Sequence, residues 1–164
     1  MSKVVLKLGD DVSTDIIYPG KFMATVLPTE TPQFAFADMP EFNIRVKNKE
    51  FSPSSVIVAG KNFGCGSSRE QATSCLKGPD FIVIAKHFAR IFLQNSINLG
   101  LKTIICPDID ASECDELEVS SDKVTNKTTG KSFEIVPLPK ARQAIIDAGG
   151  LIPYTRKKIM QAKK

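Results

Sequence analysis

The stretch Asn62-Phe63-Gly64-Cys65-Gly66-Ser67-Ser68-Arg69-Glu70 gathers the residue types that an anion site needs. Two glycines let the backbone pass close to a ligand. Ser67 and Ser68 stand where a helix is expected to begin, so their hydroxyls can cap it or point outward. The free N–H groups of a first helical turn, with the side chain of Arg69, would meet a carboxylate or phosphate there. The plain alternative is an N-cap serine beside a surface arginine. Spacing excludes three nucleotide or acyl-transfer uses. A dinucleotide fingerprint needs Gly-x-Gly-x-x-Gly, and Arg69 holds the place of the third glycine. A Walker-type loop needs Gly-Lys-Ser or Gly-Lys-Thr at the helix start, and this turn has neither. The nucleophile elbow Gly-x-Ser-x-Gly is not formed either, because Gly66 directly precedes Ser67.

Such a turn has to be held by a strand before it and a helix after it. The run Ser55-Val56-Ile57-Val58-Ala59 is apolar and β-branched, and Ala72, Cys75 and Leu76 follow at helical spacing. The pattern continues as strand 55–59, helix 67–77, strand 81–85, helix 87–99 and strand 102–106, with Gly78 and Gly100 at the helix C-termini. Short strands alternating with helices imply parallel βαβ units with right-handed crossovers. Upstream, 3–8 reads as a strand and 9–20 as an acidic, hydroxyl-rich loop between two strand-like runs. Thr31-Pro32 looks like an N-cap followed by proline at the first helical position, with a short helix ending near Pro40. Downstream, 116–120, 123–126 and 132–136 are strand candidates, the last two joined by Thr128-Thr129-Gly130. A helix over 139–148 is closed by Gly149-Gly150. The expected class is α/β: one domain over 1–164, a parallel βαβαβ core with additional antiparallel strands, and a basic tail at about 154–164. The Gly64 loop then lies beyond the carboxyl end of a strand, where open α/β sheets bind ligands.

Bulk properties narrow the function classes. A hydrophobic share of 42% and a charged share of 24% are ordinary for a globular protein. No segment approaches the roughly 18 apolar residues that cross a membrane. The start, Met1-Ser2-Lys3-Val4-Val5-Leu6-Lys7, is too short and interrupted for a signal peptide, so a cytoplasmic protein is expected. Cys65, Cys75, Cys106 and Cys114 form no Cys-x-x-Cys pair, so no metal site is expected on this chain. Cys75 and Cys106 read as core residues, and Cys65 as a small residue inside the loop. The net charge of +4 owes much to Arg156, Lys157, Lys158, Lys163 and Lys164. A solvated terminal helix or tail accounts for them better than nucleic-acid binding does. His87, the single histidine, precedes an apolar segment and reads as a capping or packing residue.

Two further stretches join the Gly64 loop. One is Gly9-Asp10-Asp11-Val12-Ser13-Thr14-Asp15-Ile16-Ile17-Tyr18-Pro19-Gly20; the other is Phe88-Ala89-Arg90-Ile91-Phe92-Leu93-Gln94-Asn95-Ser96-Ile97-Asn98-Leu99-Gly100. Together the three resemble the small subunit of the isopropylmalate isomerase and homoaconitase group, the separately encoded swivelling domain of aconitase-type hydro-lyases. The resemblance spans about 8–103 in motifs. It implies a β/β/α swivelling domain that is active only with a large subunit, as a heterodimer or heterotetramer. It also implies a [4Fe–4S] cluster held by that partner and none on this chain. The substrate would be a small hydroxy-dicarboxylic acid, dehydrated and rehydrated with the iron as Lewis acid and a serine alkoxide as base.

Carried over by position, the resemblance makes Ser67 the base and gives Ser68 and Arg69, with Gly66, to a substrate carboxylate. Thr14 and Asp15 match the family's hydroxyl–aspartate pair, Thr14 toward substrate and Asp15 orienting groups at the site; an Asx-turn is the simpler role for Asp15. Asn95 and Asn98 flank an apolar stripe of Phe88, Ile91, Phe92 and Leu99 and are expected to tie down backbone. Gln94 replaces an arginine frequent in the family. Substrate choice is read from Lys21, Phe22, Met23, Ala24 and Thr25, where Ala24 holds the place of the arginine that meets a third carboxylate in homoaconitase-type members. An apolar loop suits an alkyl branch, since a carboxylate buried there without a partner is costly. Isomerisation of 2- and 3-isopropylmalate is therefore expected first. The alternatives are 2,3-dimethylmalate or methylmalate dehydration, then homoaconitase, and, in a different class, a non-catalytic anion-binding module.

Overall fold

A computed structural model describes residues 1–162. The first strand, β1 (Ser2–Lys7), lies in the middle of a seven-stranded sheet. On one side of it run β2 (Val56–Ala59), β3 (Ile82–Ala85) and β4 (Lys102–Ile105), all parallel. On the other run β5 (Glu116–Val119), β6 (Lys123–Asn126) and β7 (Ser132–Glu134), all antiparallel. The spatial order is β4-β3-β2-β1-β5-β6-β7. The two ends meet where Val136 N–H donates to the Ile105 carbonyl at 2.8 Å, so the sheet curls onto itself. The Gly-Lys-Ser triplet Gly130-Lys131-Ser132 falls in the β6–β7 hairpin, not before a helix.

Period-two alternation sorts the buried strands between two cores. Val56, Val58, Ile82 and Ile84 pack inside the curl with Ile109, Leu117 and Val124. Ile57, Ala59, Val83 and Ala85 face the helices. β2 and β3 are buried at every position, as parallel strands covered on both faces are. Val4 and Leu6 would share a face in an unbroken strand, yet Val4 joins the inner core and Leu6 the helical one. A register shift between them makes the change of face possible.

The helical layer comprises α1 (Thr14–Ile17), α2 (Pro40–Lys47), α3 (Glu70–Lys77), α4 (Arg90–Leu99), α5 (Lys140–Asp147) and α6 (Leu151–Ala162). Gly100, at φ +73°, ends α4 with the Leu101 N–H returning to the Ser96 carbonyl. Several sequence-based expectations are corrected here. α3 begins at Glu70, not at Ser67, and α4 at Arg90, not at His87. The residues ahead of each helix are drawn into loop-to-loop hydrogen bonds instead. Thr31–Phe34 is only a short 3-10 turn, and its cap is Glu30 rather than Thr31. Pro40 opens α2, where an end was expected, because proline serves equally at the first helical position. The run after Gly20 is no strand: Gly20–Phe22 is another 3-10 turn. Ile91 is 46% exposed and leaves the stripe: α4 buries Phe92 and Ile97, and Phe88 is buried in the loop before it. Of the basic tail, α6 carries Arg156, Lys157 and Lys158, whereas Lys163 and Lys164 lie outside the described residues. Among the described residues, no helix is long and apolar enough to cross a membrane.

Candidate active site

The carboxyl ends of β1, β2 and β3 deliver three loops to one place. Phe63 is the hub. Its N–H donates to the His87 carbonyl at 3.0 Å, and its own carbonyl accepts from Ala89 N–H at 2.9 Å. Its ring meets Phe88 and Phe92 edge-on. The loops after β1 and β2 are zipped together by backbone: Gly64 N–H to the Val12 carbonyl at 2.7 Å, and Thr14 N–H to the Cys65 carbonyl at 2.8 Å. Two acids brace this zip. Asp10 Oδ1 accepts the Lys61 N–H at 2.7 Å, and Asp11 Oδ1 accepts Asn62 Nδ2 at 2.8 Å. Nothing in the motif spacing had singled out Asp10, Asp11 or Asn62 for this work.

Gly64 and Gly66 both take positive φ, +81° and +97°. At Gly64 space forbids any side chain as well, since a Cβ would stand 2.2 Å from the Phe92 ring. Gly66 then turns the chain so that the Ser67 N–H donates to Thr14 Oγ1 at 3.1 Å. The two hydroxyls of Thr14 and Ser67 lie 3.2 Å apart. Gly66, Ser67 and Ser68 face solvent, whereas Thr14 is only 1% exposed. The Ser68 carbonyl accepts from Asn95 Nδ2 at 3.2 Å, the backbone tie expected of that asparagine. Gln94 and Asn98 bond each other on the outside of α4 instead.

Arg69 has its side chain mostly covered, at 19% exposure. Nη1 donates to Asp15 Oδ1 and, at 3.3 Å, to the Tyr18 carbonyl. Gly20 makes room for this pair, with Arg69 Nη2 only 3.3 Å from where a Cβ would sit. Among the described residues Nη2 and Nε donate to no partner, so one edge of the fork is left for an incoming carboxylate.

Tyr18 escaped the sequence reading. It is wholly buried, and its hydroxyl donates to the carbonyls of Phe22 and Thr25, at 3.1 and 3.3 Å. Burial raises its pKa, with the neighbouring Cys75 adding to the effect and the Thr25 bond opposing it. It thus anchors the segment that runs past the site. On that segment Lys21 pairs with Asp38 at 2.7 Å and lies over the Phe22 ring, so its charge is engaged elsewhere. Phe22 stacks on Phe34, while Met23, Ala24, Val26 and Leu27 are exposed. The only legible signal for Tyr18 was a tyrosine immediately before Pro19-Gly20.

The donor set does not suit a metal or an iron–sulfur cluster. Among the described residues, no three His, Cys, Asp or Glu side chains gather around one point. Cys75 and Cys106 are buried on different cores, Cys65 is half-buried in the loop and Cys114 is exposed. What the arrangement offers is a hydroxyl and a guanidinium edge on one turn, an aspartate ordering that edge, and an exposed apolar segment alongside.

The chain is similar to known proteins over nearly its whole length. Residues 14–108 match the family model described as the aconitase C-terminal domain. A 3-isopropylmalate dehydratase small subunit of Methanosarcina mazei is 43% identical over 160 residues, covering 94% of this chain and 96% of the relative. An isopropylmalate/citramalate isomerase small subunit of Methanocaldococcus jannaschii is 43% identical over 165 residues, covering 97% and 95%. The crystal structure of a 3-isopropylmalate dehydratase (leuD) chain from the same archaeon superimposes with a TM-score of 0.87. That chain is 38% identical, with 98% of this chain and 96% of the other covered.

Proposed function

The chain belongs to the aconitase C-terminal domain family, and from that premise we propose that it is the small subunit of a two-chain 3-isopropylmalate dehydratase. In this reading 1–164 is one swivelling domain of the cytoplasm. It docks on a large subunit that holds the [4Fe–4S] cluster, and it brings to the shared site the groups derived above. The free edge of Arg69 takes a substrate carboxylate, with Ser68 beside it, and Asp15 keeps the guanidinium in plane. Ser67 Oγ, as alkoxide, takes the proton from the carbon next to that carboxylate and becomes a neutral hydroxyl. The C–H electron pair forms the double bond and the hydroxyl on the adjacent carbon leaves, a departure that the partner's cluster would assist as a Lewis acid. On rehydration it gives the proton back, so the residue ends each cycle as it began. The positive ends of the N–H groups that open α3 and the adjacent guanidinium lower the cost of the anionic oxygen.

The single observation that carries the substrate class is the segment Phe22–Leu27, anchored by Tyr18 and presenting Met23, Ala24, Val26 and Leu27 with no free cation. It favours an alkyl branch over a third carboxylate. The name of the relative that carries both isopropylmalate and citramalate supports a second reading, in which a methyl-branched malate is also turned over. The test is anaerobic reconstitution with the large subunit, following hydration of isopropylmaleate, methylmaleate and homoaconitate by loss of the unsaturated acid's absorbance. Turnover of the alkyl-maleates is expected; homoaconitate as the sole substrate would overturn the substrate class. Tight calorimetric binding of dicarboxylates to the isolated chain, with no turnover alongside an intact cluster-bearing partner, would favour an anion-binding module instead.

A further inference from the structure

Thr14 is a buried residue, and the two hydrogen-bond contacts of its hydroxyl are both with atoms of Ser67. A hydroxyl has one hydrogen to give and two lone pairs to receive with. One lone pair of Thr14 Oγ1 is engaged by the Ser67 N–H at 3.1 Å. The remaining contact is Ser67 Oγ at 3.2 Å. When Ser67 carries its proton, either oxygen can be the donor. When Ser67 is an alkoxide it has no hydrogen left, and Thr14 has to donate. The bond then becomes charge-assisted, with its Thr14 end shielded from water, because Thr14 is 1% exposed.

We propose that Thr14 is a positioning residue for Ser67: it fixes the seryl rotamer through the backbone N–H and supplies the hydrogen bond that holds the alkoxide. This rests on Ser67 being the base and departs from the expectation that Thr14 touches substrate. The surroundings are built for the role. Thr14 N–H is held by the Cys65 carbonyl, Ser13 Oγ caps the short α1 by accepting the Ile16 N–H, and a β-branched side chain has few rotamers to choose from. Gly66 completes the arrangement, since its φ of +97° is a conformation that a residue with a side chain rarely adopts. Ser67 and Thr14 are delivered by different strands, so the contact sets the distance between two loops as well as the state of one oxygen.

The experiment compares Thr14→Val, Thr14→Ser and Ser67→Ala in the reconstituted two-chain enzyme, with kcat and KM measured across pH. Valine keeps the shape without the donor. We expect kcat to fall roughly 10- to 100-fold in T14V with KM nearly unchanged, and the rise of rate with pH to extend about one to two units further upward. T14S should recover most of the loss. A T14V variant that raises KM and keeps kcat puts Thr14 on the substrate and overturns the proposal; equal losses in T14V and T14S make its role steric and overturn it too. Active S67A would instead sink the assignment of the base itself. A readout free of turnover is hydrogen exchange at the Ser67 amide in the isolated chain. It should be protected in the natural sequence and in T14S, and an unprotected amide in the natural sequence would refute the geometry even if T14V failed to fold.

Discussion

Ser67 and Arg69 lie on the same exposed turn but are supported from different directions. Ser67 hangs from Thr14 on one side, while Arg69 is drawn toward Asp15 and the Tyr18 carbonyl on the other. Their losses should therefore look different in kinetics. Ser67→Ala is expected to reduce kcat by about 10²- to 10⁴-fold without loosening the association of the two subunits; native turnover in that variant would remove the serine from the mechanism. Arg69→Lys keeps the charge and loses the planar fork, so KM should rise about tenfold while the melting temperature moves little. An unchanged KM would mean that the free edge of the guanidinium never meets substrate. The pairings behind these predictions were only half legible in the sequence. The turn at 66–69 could be picked out by its residue types, but Thr14 and Ser67 stand 53 positions apart, and no spacing rule joins them. Tyr18 was hidden for a different reason: a buried tyrosine that satisfies carbonyls looks, in sequence, like any other core aromatic.

At the scale of elements, the site depends on how closely α4 packs beneath the turn. Gly64→Ala would drive a methyl group into Phe92 at a positive φ, and it should cost about 2–4 kcal/mol of stability. A thermal melt of the isolated chain checks this, and an unshifted midpoint would mean the turn has room that the packing denies. β2, β3 and β4 were legible because uninterrupted β-branched runs have no other comfortable home in a small domain. The starts of α3 and α4 were not. Side-chain periodicity runs on through Ser67–Arg69 and His87–Ala89, while the backbone there is committed to Thr14, Asn95 and Phe63. α2 was missed because Pro40 carries the same meaning at the beginning of a helix as just past its end.

For the molecule as a whole, two buried thiols tie stability to alkaline pH. Burial pushes Cys106 up from 9.0 to about 11, with Asp108 adding to the rise, and burial raises Cys75 further still. The unfolded chain releases these protons first, so the stability they contribute is complete below pH 9; the share of Cys106 drains away as pH climbs through 11, and that of Cys75 at higher pH still. Urea midpoints measured at pH 7, 9 and 10.5 should fall between the last two, and less steeply in Cys106→Ala; a flat series in the natural protein would contradict the burial. Asp115 works at the opposite end. The Ser112 N–H and the Asn126 amide hold its carboxyl below the usual range, so its contribution is present at neutral pH and lost on acidification. The central place of β1 has a consequence for biosynthesis. β1 leaves the ribosome before the other strands of the sheet, finds β2 some fifty residues on, and meets β5 only when more than a hundred residues have followed it. Through that interval its far edge is an unpaired strand rich in Val4, Val5 and Leu6, open to neighbouring nascent chains. Synthesis that stalls before Leu117 should yield an aggregating fragment, and the time taken to translate the middle of the gene sets how long the finished half of the sheet stays sticky.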